Sequence, residues 1–96
     1  MTENEIANLV IEWQTPDKQM APDCHYGHTP HTKDVEYHCD VELAWGNTWY
    51  MYSVRDDEDN DTYPIIRGYA QTTEEAKSTC LLALQVYLRQ LKENQP

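Results

Sequence analysis

The chain contains no phenylalanine, three glycines, and seven lysines and arginines against seventeen aspartates and glutamates. Each shortage excludes something. With glycines few and scattered, there is no phosphate-cradling loop of the P-loop or dinucleotide type. The deficit of cations leaves a net charge of −10, a field that repels DNA, RNA and anionic lipid. The same field favours basic partners and speeds encounter with them. No apolar run is long enough to span a bilayer. The opening Met-Thr-Glu-Asn-Glu lacks the basic and apolar regions of a secretion signal, so the expected location is the cytoplasm of a host cell. Three cysteines, an odd number, do not make a disulfide framework there. Catalytic signatures are missing too: there is no nucleophile elbow and no His-Glu-x-x-His helix. Carboxylate pairs such as Glu36 and Asp40 would lie on an open surface, not in a cleft that shifts their pKa values. The expectation is a protein that is not an enzyme.

What is present is acid, and it is patterned. Between Asp34 and Asp61 there are nine carboxylates and one cation, Arg55, so this stretch holds −8 of the chain's charge. Over residues 34–45 apolar side chains fall at 35, 37, 39, 41, 43 and 45, with Asp34, Glu36, His38, Asp40 and Glu42 between them. This period-two alternation predicts a strand with one buried face. Side chains on its outer face would stand about 6.7 Å apart, the order of spacing of backbone phosphates, which recur every ~3.4 Å along a nucleic-acid strand.

Gly46-Asn47 followed by a second run at 48–55 predicts a hairpin. Its register sets Leu43 against Tyr50, Val41 against Tyr52 and Cys39 against Val54 on the buried face. Glu42 then meets Met51, Asp40 meets Ser53 and His38 meets Arg55 on the outer face. Trp49 and Met51 join the carboxylates there, a common interface composition. Asp56, Asp57, Glu58, Asp59 and Asp61 form an acidic loop before a third strand at 62–70, with Pro64 suited to an edge.

Helices are predicted at both ends. Thr2-Glu-Asn-Glu5 reads as a capping box opening a helix over 3–14, with Ile6, Leu9, Val10 and Trp13 at helical spacing. Residues 15–33 read as a long loop containing Pro16, Pro22, Gly27 and Pro30. Thr72-Thr-Glu-Glu75 opens a final helix over 73–93, whose sheet-facing stripe is Ala76, Cys80, Ala83, Leu84, Tyr87 and Leu91. Leu81, Leu82, Val86 and Leu88 widen its apolar surface and call for cover, from the first helix or from a second protomer. The expected architecture is a single α+β domain over 1–96. Its order is α-β-β-β-α, with a three-stranded antiparallel sheet and helices packed on one face.

All four histidines and two of the three cysteines lie between Cys24 and Cys39. Cys24, His28, His31 and His38 are weak candidates for a zinc site. Cys24-x3-His28 gives one half of a ligand set, but His38 and Cys39 point to opposite sheet faces. Asp57-x-Asp59-x-Asp61 begins like a calcium loop, yet Thr62 and Gly68 stand where its glycine and glutamate belong. No cofactor is expected.

Two resemblances follow from these residues. The α-β-β-β-α order, Pro30-His31 before the first strand and Glu75-Ala76-Lys77 in the last helix resemble the double-stranded-RNA-binding domain. That family opens its last helix with K-K-x-A-K, where this chain has Thr73-Glu74-Glu75-Ala76-Lys77. The resemblance therefore implies an RNA-binding surface that has been lost, leaving the sheet face for protein contacts. By charge, size and lack of catalytic residues, the chain is also similar to small acidic phage inhibitors of the anti-CRISPR and anti-restriction type. That resemblance implies docking on a basic nucleic-acid-binding surface of a host defence nuclease complex, without direct contact to nucleic acid or membrane.

The residues expected to carry the docking are Asp34, Glu36, Asp40, Glu42, Trp49, Met51, Asp56, Asp57, Glu58, Asp59 and Asp61. Two alternatives stand beside this expectation. One is a degenerate RNA-binding-fold module that dimerises or scaffolds through the last helix. The other is a zinc-stabilised interaction domain, for which purified protein should contain stoichiometric zinc and unfold with a chelator; metal-free protein that melts identically with or without chelator removes it.

Overall fold

A computed structural model of the chain describes residues 2–14, 24–30, 32, 36–44, 49–56 and 64–94. Helix α1 (Glu3–Ala7) is followed by strands β1 (Glu12–Gln14), β2 (His25–His28), β3 (Tyr37–Leu43), β4 (Tyr50–Asp56) and β5 (Ile66–Ala70), then by helix α2 (Thr73–Glu93). The strands form one antiparallel sheet in chain order. The class is α+β as the sequence predicts, but the sheet has five strands instead of three.

Both extra strands come from segments predicted otherwise. Thr2 does cap α1, with its hydroxyl accepting from Glu5 N and the Glu5 carboxylate accepting from Thr2 N. The helix nevertheless stops at Ala7, where the Asn8 side chain donates to the Asn4 carbonyl at 2.8 Å. Beyond it the chain alternates: Leu9 and Ile11 are buried, Trp13 is half-buried, and Val10, Glu12 and Gln14 point outward. Pairing to β2 satisfies the strand form of this pattern, with Trp13 opposite Gly27. The loop expected at 15–33 contains β2, which pairs with β3 through Gly27 opposite Cys39. A Cβ at Gly27 would stand 2.8 Å from both Ile11 and Trp13, so glycine lets β1 side chains fill the space above it. Thr29 closes the β2–β3 connection: its N–H donates to the Tyr37 carbonyl, and its buried hydroxyl accepts from Tyr37 N at 3.0 Å.

The β3–β4 pairing is the one the alternation predicts, from His38–Arg55 through Leu43–Tyr50. The Gly46-Asn47 turn itself lies outside the described residues, although Ala44 N donates to the Trp49 carbonyl and continues the same register. β5 adds to β4, with Tyr52 opposite Gly68.

α2 begins where Thr72 accepts from Glu75 N and runs as expected over Thr73–Glu93. Its inward line advances in four-residue steps through Ala76, Cys80, Leu84 and Leu88, all buried against Tyr37, Cys39, Val41, Tyr52 and Val54. Leu88, not Leu91, closes the stripe, and Leu91 is exposed. α1 is held on the Gln85–Arg89 flank of α2, with Gln85 donating to the Ile6 carbonyl at 3.0 Å and Arg89 paired with Glu3 at 2.8 Å. Lys77 lies 5.4 Å over the Trp13 ring and ties α2 to the far edge of the sheet. Among the described residues no helix is long and apolar enough to cross a membrane.

Gly68 sits where the buried Tyr52 ring crosses β5, and a Cβ there would clash with the phenol. Gly68→Ala is expected to lower the unfolding free energy by roughly 1–3 kcal/mol, measured by urea unfolding, because a packed ring must move. An unchanged midpoint would contradict this packing.

Candidate interaction surface

Because α1 and α2 share one side of the sheet, the other side is not covered by either helix. Register lays the outward side chains in rows across the strands. One row runs Glu12, His28, His38, Arg55; the next runs Gln14, Tyr26, Asp40, Ser53, Arg67; a third runs Glu42, Met51, Tyr69. Ala44 and Trp49 continue the series toward the turn. The surface is therefore graded. Its turn end carries Trp49 (45% exposed), Met51 and Tyr69 (57% exposed), while the opposite end is charged.

The predicted site residues divide accordingly. Glu36, just before β3, and Glu42 are exposed on this face, Asp40 is half-buried between them, and Trp49 and Met51 share it. Asp56, predicted in the loop, is instead the exposed last residue of β4, and its place opposite the buried Tyr37 puts it on the helix side of the register. Asp34, Asp57, Glu58, Asp59 and Asp61 lie outside the described residues. The residues missed by the sequence reading are Tyr26, Arg67, Tyr69, Glu12 and Gln14. Arg67 and Tyr69 were legible, since they alternate with Ile66, Gly68 and Ala70. Tyr26 was hidden by the assignment of its segment to a loop.

The acids do not form an unbroken row. His38 separates Glu36 from Asp40, and Arg55 and Arg67 stand on the two neighbouring strands. Burial pushes the Asp40 carboxyl above its ordinary range; Glu42 acts in the same direction, and Arg55 and His38 pull back. Tyr26 is pushed up to about 12, first by its hydrogen bond with Cys24, then by the Cys24 charge, burial, Asp40 and Glu42. The Glu12 carboxylate is 3.9 Å from His28 Nε2, an ion pair when the imidazole is protonated. Ser53, at the centre of the face, is buried.

Three of the four metal candidates are among the described residues. Cys24 precedes β2, His28 ends it, and His28 and His38 are cross-strand partners; His31 lies outside the described residues. Cys39 faces inward, where its hydrogen bond with Cys80 and its burial hold the thiol well above the usual range. Among the described residues no three His, Cys, Asp or Glu side chains form a group that could hold a metal ion. A shallow concavity of about 270 Å³ is lined by Gln14, Tyr26, His28, Glu36, His38 and Asp40, on the same face.

The upward shift of Asp40 fixes the sign of its pH effect. Its ionised form is held at a cost that is absent below the ordinary pKa of 3.8. The cost grows as pH rises through the folded-state value and stays constant above it. Asp40→Asn is therefore expected to melt at or above the wild-type temperature near pH 7, with the difference gone near about pH 3. A clear loss of stability near neutral pH would mean that attraction to Arg55 outweighs burial.

Comparison of this chain with protein-family models, curated proteins and solved structures finds no match.

Proposed function

We propose that this chain is a non-enzymatic docking protein whose open sheet face binds a basic protein surface of the kind that otherwise carries nucleic acid. It would act as a competitive inhibitor of that surface. One observation carries the reading: a five-stranded sheet leaves a whole face uncovered by either helix, and that face combines exposed Glu36 and Glu42 with exposed Trp49 and Tyr69. Exposed charge pairs alone are worth little, typically ~0–1 kcal/mol. The aromatic end would supply the desolvated anchor, and the acids would supply steering and orientation.

Interruption of the acids by His38, and the nearness of Arg55 and Arg67, favour a mixed docking patch over close imitation of a phosphate row. A host defence nuclease complex remains the specific partner class that charge and size support. The reading does not require the zinc-stabilised alternative.

Capture from host lysate, followed by titration of the purified partner, tests the proposal. With Glu36→Gln/Glu42→Gln, affinity should fall at least about tenfold at ~0.1 M salt, and that deficit should shrink at ~0.5 M. Trp49→Ala should weaken binding at both salts, and the partner's own nucleic acid should displace the chain. Wild-type affinity in these variants, or simultaneous binding of chain and nucleic acid, would overturn it.

A further inference from the structure

We propose that β5 and the adjoining flank of α2 form the interface of a symmetric homodimer, in which two sheets join edge to edge. Among the described residues, β5 is hydrogen-bonded only to β4 and ends the sheet. A strand edge of this kind is a template for another strand. Beside it, Leu82 (59% exposed) and Val86 (44% exposed) share a groove of about 510 Å³ with Ile65, Ile66, Thr79 and Gln90.

Charge selects a second copy as the occupant. A chain of net charge −10 repels itself over most of its surface. Among the described residues this flank is poor in acid: residues 64–73 contain no carboxylate, and Thr79, Leu82, Ala83, Val86 and Gln90 are uncharged. Arg67 is the one charged side chain in the patch, and it is exposed.

Register selects the geometry. Both α2 helices stay on one side of the joined sheet only if the two-fold axis passes through a residue of β5 and keeps inward positions opposite inward positions. Centred on Arg67, it would set two cations against each other. Centred on Tyr69, it would place Arg67 opposite Gln71, which lies beyond the strand. Centred on Gly68, it sets Ile66 against the partner's Ala70 on the inner face. On the outer face it sets Arg67 against the partner's Tyr69, a cross-strand cation–aromatic pair made twice.

The helices then fit as well. α2 packs on both β4 and β5, about one strand spacing, ~4.8 Å, from such an axis. Two copies would lie about 10 Å apart, the distance of packed helices, with Leu82 and Val86 between them. The interface takes up only the β5 edge of the open face, Arg67 and Tyr69, and sets the rest of two copies of that face side by side, so it goes beyond the docking reading.

Sedimentation of the full chain between about 1 and about 100 μM tests this. A dimer is expected, and it should persist at ~0.5 M salt because its contacts are mainly apolar. Leu82→Lys/Val86→Lys should give monomer with unchanged circular dichroism. Arg67→Glu, at an exposed position, should weaken dimerisation at least about tenfold, and it keeps the test valid if the double variant misfolds. Wild-type monomer throughout this range, or a dimer untouched by Arg67→Glu, would overturn the proposal.

Discussion

The structure depends on burial of one side of the sheet by a single long helix. Ala76 and Cys80 bring α2 close to β3 and β4, while Leu84 and Leu88 fill the space that remains. In a chain of 96 residues with no phenylalanine, this contact, thickened by Tyr37, Tyr52 and Val54, is the core. The short helix α1 is used on the flank of α2 and adds no layer to the other face. Among the described residues neither helix covers the opposite face of the sheet, and the functional reading follows from that face.

That face is organised by cross-strand pairing more than by net charge. Pairing brings Asp40 between Arg67, Ser53 and Tyr26 in one row and beside His38 and Arg55 in the next. A carboxylate so placed is partly desolvated and resists ionisation, whereas Glu36 and Glu42 remain in water. The acidity visible in the sequence therefore separates into two kinds: solvated charge available to a partner, and charge engaged with the protein's own groups. The apolar turn end, with Trp49, Met51 and Tyr69, offers what charge cannot, namely area whose removal from water favours binding.

Some of this was legible in the sequence and some was not, for physical reasons. The β3–β4 register could be read because both faces alternate and each cross-strand pair is chemically compatible. α2 could be read because Thr72 caps a long periodic run. The first segment was ambiguous: Ile6, Leu9, Val10 and Trp13 suit a helix, yet Leu9, Ile11 and Trp13 suit a strand equally. β2 decides between them by supplying hydrogen-bond partners. β2 was itself obscured, because its inward positions are a histidine, His25, and Gly27, whose missing side chain is replaced by Ile11 and Trp13. Each missed strand thus depends on the other, and neither declares itself alone. Tyr26 disappeared from the candidate site with β2, whereas Glu36, Asp40, Glu42, Trp49 and Met51 could be assigned to one face from periodicity.

Hydroxyl-radical footprinting of the free chain and of its complex with a captured partner tests the central claim most directly. The account requires Tyr26, Trp49 and Met51 to be labelled in the free protein while Tyr37 and Tyr52 stay protected, and the first three to become protected in the complex. Labelling of Tyr26, Trp49 and Met51 that is unchanged by the partner, or already absent without it, would contradict an open sheet face as the docking surface.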